Sequence, residues 1–145
     1  ANLAGANFKG AIMDELIMED VDLSGANFSE FDLEKINMAG ANLTGANLQR
    51  ASLIGANLEG ANLTGANLEG ADLGRPAPEL DDLVDAGDNW EELYESDEGA
   101  VNLIGANLAG ANLDGANLTK AMLTGANLTG AFLVRAKMPD GSVHE

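Results

Sequence analysis

A four-sided parallel β-solenoid is the fold class this chain predicts, on two observations. The first is a five-residue period, Ala-Asn-Leu-x-Gly, unbroken for fifteen copies from Ala1 to Arg75 and resumed for eight from Val101 to Asp140. Self-similarity at a fixed short period marks a solenoid, in which no repeat has a core alone and stacking makes one. The second is a 20-residue spacing between exceptions to the consensus. Phe8 and Phe28 are the only Phe residues at position three, Met18 and Met38 share that position, and Leu16 and Ile36 are bulky at position one. A 15-residue coil would set each against an ordinary Leu or Ala. Four repeats per coil set like on like.

Each repeat reads as a short strand and a corner. Positions one and three of an extended tripeptide share a side and position two takes the other. Position one is almost always Ala and position three almost always Leu, which puts both inside. Position two is Asn or Asp in 17 of 23 repeats, the pattern of an outward side. Position five is Gly in 14 of 23, and Gly tolerates the positive φ that a tight turn often requires. Successive coils then lie about 4.8 Å apart, with parallel ladders on four walls. Leu3, Phe8, Met18, Phe28, Met38, Leu43 and Leu63 are predicted core residues. The position-two amides are expected to form ladders outside, as amides do in stacked in-register strands. In repeats three to eight, Leu16, Val21, Phe31 and Ile36 replace Ala at position one, which predicts spread walls or altered corners there.

The A-(N/D)-L-x-G repeat resembles the pentapeptide repeat family over about 115 of 145 residues. That resemblance implies a right-handed quadrilateral β-helix, here of about 5.75 coils. The ending Met138-Pro139-Asp140-Gly141-Ser142-Val143-His144-Glu145 resembles the tails of cyanobacterial members.

Composition bounds the function. One domain suffices, a β-helix of repeats 1–75 and 101–140 interrupted by 76–100, with 139–145 as a C-terminal cap. The absence of Cys rules out disulfides, a thiolate nucleophile and a cysteine zinc site. No 18-residue apolar run exists to span a membrane as a helix, so a soluble protein is expected. A net charge of −17 argues against nucleic acid or anionic lipid as direct ligands, and keeps an open β-stack in solution. The compartment stays open between cytoplasm and, if a leader preceded Ala1, a periplasm or thylakoid lumen.

The interruption breaks every rule of the repeat. Pro76-Ala77-Pro78 stops the ladder, because Pro cannot donate to it. Leu80, Leu83 and Val84 then fall at helical spacing, ended by Gly87. Asp88 with Glu91 resembles a capping box that opens a second short helix, with Trp90, Leu93 and Tyr94 on one face. The segment holds the only Trp, the only Tyr and ten of 24 acidic residues, with no basic one. It is read as looping out at a corner, so that Val101 opens the fourth wall and joins a bulky column of Leu16 and Ile36. Its apolar stripe needs cover, and the nearest outward apolar side chains by column arithmetic are Ile54, Ile104 and Met122. Its acidic, aromatic side is the candidate contact for a protein partner, a basic one: Asp81, Asp82, Asp85, Trp90, Glu91, Glu92, Tyr94 and Glu95. Asp81, Asp82, Asp85 and Asp88 lack the Gly and terminal Glu of an EF-hand loop, so no metal is assigned.

No catalytic set can be assembled. His144, the only His, sits one residue from the end, where a flexible tail is expected. Gly-rich stretches such as 110–115 lack the Gly-Lys-Ser/Thr ending of a phosphate loop, so they are corners. The chain therefore reads as a non-enzymatic scaffold or protein-interaction module without a cofactor. The resemblance implies an alternative, since some bacterial members imitate DNA and bind type II topoisomerases. Against it, the acids gather in the insert and between Asp14 and Glu34 instead of forming rows along the rod. At the ends, the Asp140-Gly141 turn is expected to fold Val143 over the last coil. The first coil shows no cap, which predicts covering residues or an end-to-end dimer through the N-terminal coil rather than a bare monomer.

Overall fold

The computed structural model describes residues 1–8, 11–13, 16–74 and 100–145. It is a right-handed, four-sided parallel β-helix. Bridges join residues 20 apart on each wall, as in Asn2↔Asp22↔Asn42↔Asn62 on the first and Asn7↔Asn27↔Asn47↔Asn67 on the second. The third wall runs Asp32↔Ser52↔Asp72, and the fourth Ile17↔Asn37↔Asn57. Phe8 stacks on Phe28 with ring centroids 4.8 Å apart and planes 7° from parallel, which is the coil spacing seen through two side chains.

The backbone explains the five-residue period through its donors. In the repeat at Ala41, the Asn42 N–H donates to Val21 of the previous coil at 2.9 Å. The Leu43 N–H donates to Asn62 of the next coil at 2.7 Å and the Gly45 N–H to Thr64 at 2.9 Å. The Ala46 N–H closes the corner on Leu43 at 2.9 Å. One donor remains, that of Thr44, and the Asn42 side-chain oxygen accepts it at 3.2 Å. Every N–H of the repeat is thus used, as burial of a closed wall demands. The Asn at position two is an Asx-turn acceptor as well as a ladder rung. Rungs are present too: Asn42 donates to Asp22 at 3.1 Å and Asn57 to Asn37 at 3.2 Å.

The corners need a positive φ at position five, the signature of a type II turn. Gly45 has φ 64° there, and Asp20, Glu30, Lys35, Arg50, Lys120 and Arg135 adopt 55° to 63° without being Gly. The described corners are therefore alike in φ, but where position one is bulky the closing bond lengthens: the N–H of Leu16, Val21 and Ile36 donates at 3.3, 3.4 and 3.3 Å, against 2.9 Å for Ala46. Bridges stay in the 20-residue register through Ile17, Asp22 and Asp32. The bulky residues are accommodated individually: Ile36 is buried, Phe31 packs edge-on against Phe28 at 6.3 Å, and Leu16 is left 39% exposed. The bridge register holds through them, and the expected change of the corners is confined to these longer bonds.

Across the interruption the offset becomes 45 residues, in Asn57↔Asn102, Asn62↔Asn107, Asn67↔Asn112 and Asp72↔Asn117. That is one coil of 20 plus 25 intervening residues, so Val101 lies on the fourth wall next to Ala56. The core is a continuous stack of position-three Leu and position-one Ala. Leu43, Leu63, Phe28 and Met38 are fully buried and Met18 nearly so, whereas Leu3 and Phe8 at the first coil are half-buried. No polar side chain among the described residues is buried.

The C-terminal tail differs from expectation. It turns back and pairs antiparallel with the last strand of the third wall, Lys137↔Val143. The His144 N–H donates to Ala136 at 2.9 Å and its carbonyl accepts from Arg135 at 2.7 Å, so this residue is fixed. Val143 remains 57% exposed and Leu123, Leu128 and Leu133 half-buried. The tail therefore occupies an edge of one wall and does not lid the core.

Candidate interaction surface

Column arithmetic assigns each outward side chain to a wall, and the walls differ. The first wall presents Asn42, Asn62, Asn107 and Asn127 with Thr44, Thr64 and Thr129, and its following corner is Gly at 25, 45, 65, 110 and 130. Those Thr hydroxyls donate to the neighbouring Asn oxygens at 2.6 to 2.7 Å, so from Asn42 onward the wall is uncharged and these groups satisfy one another. Its one carboxylate is Asp22, held below the usual range by hydrogen bonds from the hydroxyl and N–H of Ser24, with a further one from Asn42.

The cations gather elsewhere. Among the described residues, Arg50 and Arg135 stand at the corner entering the third wall and Lys35 and Lys120 at the corner leaving it. Lys137 lies on that wall itself. The sequence reading missed this grouping, although tracking position five by column would have shown it. Arg50 pairs with Glu30 of the preceding coil at 3.6 Å, an exposed contact of small energetic consequence. On the second wall, a shallow recess of about 150 Å³ is lined by Asn7, Asn27, Ser29, Glu30 and Phe31. It brings no catalytic set together, and no group of metal-ligating side chains occurs among the described residues.

The root of the interruption is well defined. The chain leaves the third wall after Leu73 and Gly74 and re-enters at Ala100 and Val101, all four buried. Asn117 seals the exit from the next coil. It donates to Asp72 at 3.0 Å, and its side chain lies so close that a Cβ on Gly74 would come within 2.7 to 2.8 Å of it. Ile54, at this corner one coil before the root, and Met122, on the fourth wall, are half-buried, whereas Ile104, 36% exposed, stands at the far corner of the fourth wall. Lys120 stands at the corner of the root, one coil on. The sequence-predicted contact residues Asp81, Asp82, Asp85, Trp90, Glu91, Glu92, Tyr94 and Glu95 lie outside the described residues, as do the two helices read over 79–95. No helix of the described residues is long and apolar enough to cross a membrane.

The family description "Pentapeptide repeats" matches residues 1–40, 41–75 and 101–138, in eight copies. The comparison leaves out the same interruption that the bridge register skips. Among solved structures, the chain is similar to the pentapeptide repeat protein Rfr23 of the cyanobacterium Cyanothece 51142. That pair is 30% identical with a TM-score of 0.51, over 88% of this chain and 63% of the other. The chain thus spans less than two thirds of Rfr23. A pentapeptide repeat protein of the Arabidopsis thaliana thylakoid lumen is 28% identical over 92% of this chain and 79% of its own, with a TM-score of 0.44. HetL of Nostoc, involved in heterocyst differentiation regulation, is 29% identical over 99% and 78%, with a TM-score of 0.28. No curated protein matches the chain.

Proposed function

The chain belongs to the pentapeptide repeat family, and we propose that it is a non-enzymatic scaffold displaying its acidic segment 76–99 to a basic protein partner. The observation that carries this reading is the unbroken register across the interruption, Asp72↔Asn117 on one side and Asn57↔Asn102 on the other. A wall that keeps its register on both sides of the interruption supports reading the segment as an addition to the coil. The segment concentrates ten carboxylates and no base at one corner of a rigid body. A fixed, single-signed patch steers an oppositely charged partner and sets its orientation. Asp81, Asp82, Asp85, Glu91, Glu92 and Glu95 supply the charge in this reading, with Trp90 and Tyr94 as aromatic anchors.

Affinity capture with the intact chain, with residues 76–99 replaced by a short Gly-Ser link, and with those six acids changed to amides tests it. The expected result is one basic partner retained by the intact chain alone, and a β-helix that still melts cooperatively after deletion. Binding that survives both changes, or a deletion variant that does not fold, overturns the proposal.

Net charge and a rod of about 28 Å favour a second reading, imitation of DNA toward a type II topoisomerase. The column positions weigh against it, because the first wall is neutral from Asn42 onward and the third carries the cations. Inhibition of gyrase supercoiling by the segment-deleted rod would favour it over the scaffold reading.

A further inference from the structure

Asp-Gly occurs twice in the chain, at Asp114-Gly115 and Asp140-Gly141, and the fold treats the two differently. In this pair the side-chain carboxyl and the nitrogen of the following peptide can close a five-membered ring, and glycine has no Cβ to keep them apart. How firmly carboxyl and peptide are held decides whether they meet. Asp114-Gly115 is tied to the coils on both sides. The Asp114 carboxylate accepts the Val134 N–H at 2.8 Å, and the Gly115 N–H donates to the Val134 carbonyl at 2.8 Å. The Asp114 carbonyl accepts from Gly70 of the preceding coil at 2.9 Å. All three bonds must break before this peptide can turn. Asp140-Gly141 lies in the tail, and both residues are exposed. The Asp140 carboxylate accepts the hydroxyl and the N–H of Ser142 at 2.6 and 2.9 Å, which draws it forward along the chain toward the Gly141 nitrogen. That nitrogen only closes a turn on Met138 at 2.8 Å, and nothing lies within 4 Å of where a Gly141 Cβ would stand.

We propose that Asp140 is a site of spontaneous isomerisation, and that its conversion to isoaspartate releases the tail from the third wall. The Gly141 nitrogen attacks the γ-carbon of the protonated Asp140 carboxyl. A C–N bond forms, the amide proton and the carboxyl hydroxyl leave as water, and a succinimide results. Water then adds at one of the two ring carbonyls. Addition at the γ-carbon restores Asp. Addition at the α-carbon breaks the original peptide bond and leaves a backbone that runs through the β-carbon, one methylene longer, with a free α-carboxylate. Net mass is unchanged and no electron is transferred. The added methylene falls inside the turn that sets the antiparallel pairing. Met138 donates to Ser142 at 2.7 Å, His144 to Ala136 at 2.9 Å and Arg135 to His144 at 2.7 Å, all across that turn. Lengthening it carries Ser142 and His144 past their partners and takes the Asp140 acceptor out of its Asx turn. The third-wall edge then loses its cover.

Prolonged incubation of the intact chain at neutral pH tests this, with isoaspartate at each position quantified after digestion by an isoaspartyl methyltransferase and a labelled methyl donor. In the native chain position 140 should exceed position 114 by about tenfold or more, because opening the tail requires less free energy than opening a wall. In urea the two positions should accumulate isoaspartate alike. Asp140→Glu, which keeps the charge but would have to close a six-membered ring, should accumulate none at its position. The isolated isoaspartate-140 form should exchange its Met138 and His144 amides rapidly while Leu118, bonded to Lys137 within the wall at 2.8 Å, stays protected. Equal isomerisation at the two positions of the native chain overturns the proposal, as does its absence at 140 over the time the unfolded chain needs. Isomerised chains whose Met138 and His144 amides remain protected overturn release of the tail.

Discussion

The Asp114 carboxylate accepts the N–H of Val134 from the neighbouring coil at 2.8 Å. In most repeats that donor is held by the position-two Asn of its own repeat, but Phe132 occupies the position here and offers no acceptor. Asp114 reaches one coil along to replace it. Pro139 solves the same problem differently: Lys137 stands two residues before it, also without an acceptor, and Pro has no N–H to satisfy.

Asp114→Ala should therefore destabilise the last coil by about 1 kcal/mol, the usual cost of an abandoned donor in a partly exposed place. Phe132→Asn should recover most of that loss in the Asp114→Ala background and little in the wild type. A double-mutant cycle by urea melting measures the coupling. Additive effects would show that the two acceptors do not substitute for one another.

In the middle of the rod, Asn67 accepts the Glu69 N–H at 3.1 Å and the Asn112 side-chain amide at 3.4 Å. Asn67→Leu removes both and should cost about 1–2 kcal/mol. Asn67→Asp keeps both acceptor roles and should cost distinctly less. Equal losses for the two variants would mean that the side chain matters for its ladder donation and not as an acceptor.

The walls were legible because side-chain size is written at positions one and three and repeats every 20 residues, so that Phe8 on Phe28 could be read before any coordinates. The bond from Asn42 to the Thr44 N–H was not. An outward Asn satisfies equally the expectation of a polar face, and only a count of backbone donors reveals the need. Corners at Lys35 or Arg50 were hidden for a related reason, since propensity alone assigns positive φ to Gly. Leu16 shows the converse limit: its position predicted burial, but the first coil has a neighbour on one side only. The interaction surface was read from the insert's composition, and the outward apolar residues Ile54, Ile104 and Met122 from column arithmetic, whose 45-residue offset the bridges reproduce.

Corner strain gives a pair of opposite effects. Lys35 holds φ 58° where an L side chain crowds its own backbone, and Gly45 holds φ 64° in the same kind of turn. Gly45→Ala should lower stability by about 1 kcal/mol, with open space around the new methyl and only φ to blame. Lys35→Gly should raise it by a smaller amount, because added freedom in the unfolded chain offsets part of the gain. Thermal melts decide it, and a stabilised Gly45→Ala would refute the strain assignment.

Gly74 is constrained by space instead. Its φ is not positive, yet a Cβ would meet the Asn117 side chain at 2.7 to 2.8 Å. Gly74→Ala should displace Asn117 from Asp72 and cost about 1–2 kcal/mol. Trimming the obstacle in Gly74→Ala/Asn117→Ser should relieve the steric part. If the double variant is no better than the sum of the singles, crowding is not the cause.

The tail carries a pH response whose sign follows from its anchor. The Asp140 carboxylate accepts the Ser142 hydroxyl at 2.6 Å and the Ser142 N–H at 2.9 Å, and these two bonds, the hydroxyl first, hold its pKa below the ordinary 3.8. A carboxyl whose folded value is depressed stabilises the fold fully above the ordinary value, and that contribution disappears as pH falls through the depressed one. The Lys137↔Val143 pairing should therefore loosen below about pH 4, ahead of the core, which has no buried charge among the described residues. Asp140→Ala should show the loosened tail already at neutral pH, and Asp140→Asn, which keeps an acceptor without a charge, should remove the pH dependence of the pairing. Protection factors of the Met138 and His144 amides, bonded to Ser142 at 2.7 Å and Ala136 at 2.9 Å, are the readout. If both amides stay protected in Asp140→Ala, the tail is held by its strand pairing alone and the carboxylate is incidental.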